Sequence, residues 1–146
     1  RASRLIATVG TSYPAYATSL GKVLLAGLQP EHLDACLKAM TFRRLTEATV
    51  RDRATLEQRL AECRAQGYAT SADELDYGIT SLAVPVRDVH GDVVAAINSS
   101  GYSGRVTTQS LTEERLEDLR QSATVISRLL ESHPVLMHSF PSHRGR

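Results

Sequence analysis

The chain has 146 residues, of which 42% are hydrophobic and 23% are charged. This length fits one domain that buries roughly two-thirds of its unfolded-chain surface, and the composition excludes wholesale disorder. No apolar run reaches the roughly 18–20 residues that span a bilayer, and no signal-peptide pattern opens the chain. We therefore expect a globular, cytoplasmic domain that makes no membrane contact.

The charges argue against direct binding to DNA. Seventeen Lys and Arg residues face sixteen Asp and Glu residues, for a net charge of +1. The segment 133–146 holds Arg144 and Arg146 and no acid, so residues 1–132 carry a slight acidic excess. A duplex-binding domain usually needs a basic face. The arginines between residues 43 and 64 alternate with acids, which predicts a solvated helix face of mixed charge rather than a nucleic-acid patch.

Cys36 and Cys63 are far apart and have no metal-ligand spacing. Both fall within helical patterns, so we expect two buried free thiols in a reducing cytoplasm; a secreted disulfide is the alternative.

The first half of the chain predicts one strand and three helices. The β-branched segment 4–10 predicts a strand, and residues 18–27 predict a helix that Thr18 or Ser19 caps and Gly27 ends. Pro30 suits the first turn of a second helix. Its expected inner face consists of Leu33, Cys36, Leu37 and Met40. Asp52 is the expected cap of a third helix, whose buried residues would be Leu56, Leu60 and Cys63 and whose stop would be Gly67.

The second half predicts a hairpin and a long helix. Residues 68–71, 79–87 and 92–100 have strand-like patterns, with a turn at 88–91. A capping box at Ser110–Glu113, or Thr112 alone, would start the last helix, which His133-Pro134 would end. Its apolar stripe consists of Leu116, Leu119, Ala123, Ile126 and Leu130. Residues 1–132 thus predict an α+β domain with one antiparallel sheet, and residues 133–146 a mobile tail.

The register of the hairpin predicts a polar face. A two-residue loop sets Ser81 opposite Ser100, and a four-residue loop sets Ser81 opposite Asn98, whereas a three-residue loop would break this grouping. With either even loop, Ser81, Ala83, Asn98 and Ser100 share one face, and Leu82, Val84, Val86, Val93, Ala95 and Ile97 share the other. Small hydrogen-bonding side chains can hold a polar ligand. The alternative is an ordinary solvated strand surface.

The start of the first helix is a second candidate. Free backbone N–H groups there can bind a carboxylate, and Gly21 would let a ligand approach the backbone. The alternative is a capped helix start with Gly21 packed on the sheet. Lys22 is expected to be a surface residue.

Enzyme signatures are missing from the sequence. It contains no nucleophile elbow, no zinc spacing and no Gly-rich phosphate loop, so we expect no catalytic residue, metal site or cofactor. Asp73, Glu74 and Asp76 could supply acid–base carboxylates or metal ligands, but a solvated acidic loop is the simpler interpretation.

Five motifs in order resemble the effector-binding domain of the IclR family of bacterial transcriptional regulators. They cover residues 17–26, 67–69, 73–75, 78–86 and 94–98, so the resemblance spans about residues 1–132. It implies a GAF-like or profilin-like fold, a curved antiparallel sheet flanked by helices, and assembly into homodimers or homotetramers. The family's N-terminal winged helix-turn-helix domain, through which DNA would be bound, is expected to be absent from this chain.

The resemblance also implies a ligand site for a small organic acid. Carried over by position, its contacts are Ser19, Leu20, Ser71, Ser81, Asn98 and Ser100. Several positions depart from the common family pattern: Ser19 and Leu20 replace Gly or Ala, Ser71 replaces an acid, Thr80 stands where Arg is common, and Asn98 replaces Ser. Together with residues 9–16, these positions are most similar to the subgroup that controls aromatic-acid catabolism through the β-ketoadipate route. Tyr16 and Leu20 would then meet a ring, and the polar side chains would hold its oxygens.

The sequence therefore predicts a ligand sensor that couples a small carboxylate to the arrangement of an oligomer and to DNA binding by the missing domain. Two alternatives are an enzyme that uses the Asp73/Glu74 loop and a purely structural dimerisation module.

Overall fold

The computed structural model describes residues 7–140, which form four α-helices and a three-stranded antiparallel sheet. The sheet has the order β1-β2-β3. In chain order the elements are a 3-10 helix at Ala15–Ala17, α1 at Ser19–Ala26, α2 at Pro30–Ala39, α3 at Arg53–Gln66, β1 at Ala69–Ala72, β2 at Ile79–Arg87, β3 at Val93–Tyr102, α4 at Thr108–Ser132 and a second 3-10 helix at Pro134–Ser139. The predicted α+β class is confirmed.

The expected first strand is not found in the part that can be described. Residues 1–6 lie outside the described residues, and residues 7–10 are not in a strand. Thr11 donates its backbone N–H to the carbonyl of Thr8, and Gly10 has a φ of +90°. A turn at this point ends any extended segment before Thr11.

The hairpin has the register predicted for the two-residue loop. Ser81 pairs with Ser100, and Ala83 pairs with Asn98. Near the turn the register shifts by one residue, since Val86 pairs with Ala95 but Arg87 pairs with Val93. This β-bulge reverses the face of the residues beyond it.

Val93 was predicted on the apolar face with Leu82, and this was wrong. The bulge turns Val93 towards α1, where a Cβ added to Gly27 would lie 2.5 Å from the Val93 side chain. The missing side chain of Gly27 therefore makes room for Val93.

Helices cover both faces of the sheet. α4 packs on the apolar face, with Leu82, Val84 and Val86 buried against Leu116 and Ala123. The opposite face carries α1 and α3, and there Ala69 and Ala83 join a second core cluster with Val23, Leu56 and Leu60. The predicted apolar stripe of α4 is confirmed, because all five of its residues pack in the cluster that contains Leu82, on the α4 side of the sheet.

Side-chain caps begin three of the helices. Thr18 and Asp52 accept hydrogen bonds from the backbone N–H groups of Gly21 and Thr55, as predicted for α1 and α3. Gly67 ends α3 with a φ of +80°. The prediction for α4 was wrong, because the cap is Thr107 and Ser110 closes the capping box as its third helical residue.

The predicted burial of both cysteines was wrong for one of them, whereas the predicted mixed-charge face of α3 is confirmed. Cys63 is buried, but Cys36 is exposed, because α2 buries only Leu37 fully against the core. Burial raises the pKa of the Cys63 thiol. Nearby cations, of which Arg64 has the largest effect, partly offset this rise. The arginines of α3 form exposed pairs with acids, such as Arg53 with Glu57, which confirms the mixed-charge face.

The segment after α4 has more structure than its composition predicted. α4 ends at Ser132 with His133 as its C-cap, as expected. Residues Pro134–Ser139 form the second 3-10 helix, and Met137 and Phe140 pack against the α4 side of the sheet. Residues 141–146 of the predicted tail lie outside the described residues. Within residues 7–140, no helix is both long and apolar enough to cross a membrane.

Candidate functional site

Three buried serine hydroxyls form a connected group between α1 and the sheet. The Oγ atoms of Ser19 and Ser81 lie 2.6 Å apart, and those of Ser71 and Ser81 lie 2.8 Å apart. The exposed fractions of Ser19, Ser71 and Ser81 are 1%, 7% and 6%. Because buried hydroxyls are costly without partners, these mutual bonds explain how the interior tolerates them. We call these three residues the serine trio.

Local structure brings the serine trio together from three elements. Thr18 caps α1, so Ser19 is the first helical residue. Ser71 and Ser81 are cross-strand partners in β1 and β2, and cross-strand partners point to the same face. α1 packs on that face, which places the Ser19 hydroxyl over β2.

Asn98 and Ser100 extend this polar group along β3. Ser100 is the partner of Ser81 across the β2–β3 ladder, and Asn98 is the partner of Ala83. The predicted common face is therefore confirmed. Both side chains are exposed, in contrast to the serine trio. The polar row thus runs from the interior beneath α1 to the surface at β3, which is an edge strand of the sheet that residues 7–140 form.

Tyr16 and Leu20 lie beside the start of α1. Tyr16 is buried, and its hydroxyl donates to the carbonyl of Arg43 at 3.1 Å while accepting from the Arg43 N–H at 2.9 Å. Its ring lies 5.1 Å from that of Phe42. Leu20 is half-buried and packs against the same core cluster. The Tyr16 hydroxyl is thus committed within the fold, whereas Leu20 retains exposed surface.

Gly21 lies in a capped helix start, as one interpretation of the sequence predicted, but it packs against the first 3-10 helix and not the sheet. A Cβ at this position would lie 2.3 Å from the carbonyl oxygen of Ala15. The backbone of the first 3-10 helix therefore occupies the space of the missing side chain. The N–H group of Gly21 also donates to the Thr18 hydroxyl.

Lys22 was predicted as a surface residue, but it is 3% exposed. Its ammonium group lies 2.6 Å from Glu74 Oε2 and donates to the backbone carbonyl of Thr70 at 3.1 Å. The expectation of a solvated acidic loop was therefore also wrong for Glu74, which is 9% exposed. One sequence signal was available, because Lys22 stands one helical turn after Ser19 and so shares its face.

Asp73 organises the loop between β1 and β2. It has a φ of +56°, and its Oδ1 atom accepts from the Gly78 N–H at 2.7 Å and from the Ser103 hydroxyl at 2.8 Å. Asp76 accepts the N–H of Tyr77. Among residues 7–140, no group of three or more His, Cys, Asp or Glu side chains is arranged to hold a metal ion.

A cavity of about 710 Å³ lies at the other end of the sheet, beside the hairpin turn, and sequence reasoning did not find it. Its walls come from the α1–α2 connection, the β2–β3 turn, the end of α4 and the second 3-10 helix, and they include Leu28, His90, Leu130 and Phe140. None of the eight predicted site residues lines it. No periodic pattern in the sequence marks a space bounded by four separate turns and helix ends.

Comparisons with known proteins agree with this architecture. The family described as "Bacterial transcriptional regulator IclR C-terminal" matches residues 1–128. The HTH-type transcriptional regulator XynR of Escherichia coli is 37% identical over 84% of this chain and 48% of its own length. The Pca regulon regulatory protein of Pseudomonas putida is 38% identical over 75% of this chain and 38% of its own. The chain thus spans less than half the length of these curated relatives.

A solved structure with a bound ligand is also similar. It is the inducer-binding domain of a double mutant of the PobR transcription factor from Acinetobacter, in complex with 3-hydroxybenzoic acid. It aligns with a TM-score of 0.79 and 33% identity, over 87% of this chain and 74% of that one. Together with the fold described above, these matches confirm the resemblance found in the sequence. The chain belongs to the family of C-terminal domains of the bacterial IclR transcriptional regulators.

Proposed function

We propose that this domain is the ligand-sensing part of a cytoplasmic transcriptional regulator. A small organic carboxylate, of the aromatic-acid class, binds where α1 meets the sheet. The bound ligand favours one arrangement of a homodimer or homotetramer, and a winged helix-turn-helix domain of the full-length regulator responds by changing its affinity for DNA. A ligand produces such a shift only if its affinities for the two arrangements differ, and couplings of about 1–3 kcal/mol are typical.

The observation that carries this proposal is the polar row that joins the serine trio to Asn98 and Ser100. Hydroxyl and amide groups can donate to a carboxylate and can accept from a ring hydroxyl. The row crosses from buried to exposed positions, so one end of a ligand could be shielded from water while the other enters from the β3 side. Shielding strengthens hydrogen bonds to a charged group.

The class of ligand is supported by the names of relatives. Two of them are the Pca regulon regulatory protein and the p-hydroxybenzoate hydroxylase transcriptional activator of Acinetobacter baylyi, and the PobR domain binds 3-hydroxybenzoic acid. In this chain, the exposed part of Leu20 offers apolar surface beside Ser19 at the start of α1, whereas the Tyr16 ring is buried behind it in the core. Ser71, where the family often has an acid, avoids repulsion of a carboxylate.

We propose binding without catalysis. The relatives named above are regulators, and the hydrogen bonds of the serine trio connect its hydroxyls to one another rather than to a histidine base. Glu74 is engaged by Lys22, so it is poorly suited to proton transfer with a substrate. A turnover assay with each acid that binds would reveal any reaction.

The test is a thermal-shift and calorimetric titration with 3-hydroxybenzoate, 4-hydroxybenzoate and protocatechuate. A ligand at 100 times its dissociation constant stabilises the fold by about 2.7 kcal/mol. Asn98→Ala and Ser100→Ala should weaken binding by about 1–3 kcal/mol, because a polar ligand group loses its partner. Both side chains are exposed, so these variants should keep the wild-type stability.

Ser99→Ala is the matched control for these variants. Ser99 lies between the two residues in β3 but faces α4, where it accepts a hydrogen bond from Arg115. Its removal should leave binding unchanged. Wild-type affinity in Asn98→Ala and Ser100→Ala would remove both residues from the site. If no acid binds and assembly is normal, a structural dimerisation module becomes the better description.

A further inference from the structure

The buried ion pair between Lys22 and Glu74 lies next to the serine trio, because each of its residues follows a member of the trio closely in the chain. Lys22 follows Ser19 by three residues in α1, and Glu74 follows Ser71 by three residues, in the loop just after β1. The ammonium group contacts both carboxylate oxygens, at 2.8 and 2.6 Å, and the carbonyl of Thr70 at 3.1 Å. All three donor positions of the lysine are therefore used.

Glu74 is itself held in place from a different part of the chain. The Thr49 hydroxyl donates to the backbone carbonyl of Glu74 at 2.7 Å, and the Thr46 hydroxyl donates to that of Asp73. Asp73 in turn accepts from Gly78 and from Ser103, beyond the end of β3. The carboxylate that receives Lys22 thus belongs to a loop fixed on several sides, and it provides a rigid point of attachment.

Two polar anchors consequently connect α1 with the sheet. The first is the contact of Ser19 with Ser81 in β2, and the second is the contact of Lys22 with Thr70 in β1 and with Glu74 in the loop that follows. One anchor alone would allow the helix to turn about that point. Two anchors one helical turn apart set its rotation, and hence where the first turn of α1 lies relative to Asn98 and Ser100.

We propose that Lys22 is a positioning residue for the ligand site. This proposal rests on the function proposed above. Through Glu74 and Thr70 it fixes the first turn of α1, so that the Ser19 hydroxyl stays on Ser81 and the polar row keeps the geometry that a carboxylate requires. Sites held in their binding geometry lose less free energy on binding, because less ordering is needed.

A positioning role can be separated from a stabilising role because buried ion pairs add little to stability. Replacing such a pair with apolar side chains of similar size is often neutral or stabilising, whereas removing one partner leaves a buried charge. The double variant Lys22→Met/Glu74→Leu should therefore fold with a thermal midpoint near that of the wild type. Lys22→Met alone should unfold at a lower temperature.

The experiment measures amide hydrogen exchange and ligand affinity in the double variant. We expect faster exchange of the amides of residues 20–23 than in the wild type at equal thermal stability. We also expect binding of 3-hydroxybenzoate to weaken by roughly 2-fold to 30-fold, the range found for residues that modulate a site without touching its ligand. Lys38→Met, which removes the exposed Lys38–Asp34 pair of α2, is the control and should change neither quantity.

Wild-type exchange and wild-type affinity in a stable double variant would overturn the proposal. If the wild type binds none of the acids tested, the function proposed above fails for these ligands, but the exchange measurement still decides whether Lys22 fixes α1. If the double variant does not fold, Glu74→Asp takes its place. It keeps the charge and withdraws the carboxylate by one methylene, so it should raise exchange in residues 20–23, and unchanged exchange would contradict the positioning role.

Discussion

The hydroxyls of Ser19 and Ser81 meet at 2.6 Å in the interior, although 62 residues separate them along the chain. Ser81 also contacts Ser71, so it is the central member of the serine trio. Ser81→Ala should therefore leave two buried hydroxyls without their partner, at a cost of about 1–3 kcal/mol in the free energy of unfolding. Urea denaturation of the purified domain measures this loss.

Ser139→Ala serves as the exposed control, because Ser110 takes part in the capping box of α4 and its loss would itself destabilise the fold. The substitution of Ser139 should change the free energy of unfolding by less than about 0.5 kcal/mol. An equally small effect of Ser81→Ala would mean that the hydrogen bonds of the serine trio contribute nothing to the stability of the fold.

Gly21→Ala should destabilise the fold. The added methyl group would lie 2.3 Å from the Ala15 carbonyl oxygen, and backbone atoms cannot rotate away as a flexible side chain can. We expect a loss of about 1–3 kcal/mol, as for overpacked interiors, measured by thermal or urea unfolding.

Gly104→Ala is the matched control, since no atom lies within 4 Å of its added methyl group. It should leave the midpoint of unfolding nearly unchanged. If Gly21→Ala were equally harmless, the contact between the first 3-10 helix and α1 would have to be loose in solution.

The start of α4 can be checked by comparing two threonines. Thr107 caps the helix. Its replacement by alanine should lower the free energy of unfolding by about 1 kcal/mol. Thr112, the cap that the sequence pattern suggested, lies inside α4, where its hydroxyl donates to the Thr108 carbonyl. Thr112→Ala should have a smaller effect, and the reverse order of the two losses would place the helix start near residue 112.

The two cysteines should react at different rates. Cys36 is exposed, while Cys63 is 5% exposed and its thiol has a pKa raised by burial. Because the thiolate is the reactive form, a raised pKa leaves less of it near neutral pH. Iodoacetamide should label Cys36 in the folded protein and Cys63 only after denaturation, as mass spectrometry of the peptides would show. Rapid labelling of Cys63 in native buffer would contradict its burial.

Helices and strand faces were accessible from the sequence because they depend on local periodicity. Thr18, Asp52 and Gly67 mark helix boundaries through hydrogen bonds or backbone angles set within a few residues. The shared face of Ser81 and Asn98 follows from the alternation of side chains along paired strands. These features need no knowledge of distant contacts.

Most of the errors concern contacts that the helical or strand period does not show, whereas the cap of α4 was misplaced within a local pattern. Lys22 resembles any exposed helical lysine until Glu74, 52 residues later, is brought beside it. Gly21 is explained only by the path of the preceding 3-10 helix. Cys36 matched a helical period, yet the core covers α2 fully only at Leu37. Neither spacing nor residue type contains this information.

The bulge at Val94, between the Val86–Ala95 and Arg87–Val93 pairs, connects the hairpin with the end of the first helix. Val94 is the extra residue of β3, and it allows Val93 to fill the space above Gly27. Deleting Val94 would restore strict alternation and leave Val93 on the α1 side, because Val93 would then directly precede Ala95, which faces α4. A larger residue at position 27 would therefore still meet the Val93 side chain, so a shortened hairpin should not rescue a bulkier residue 27, whereas a smaller residue 93 should.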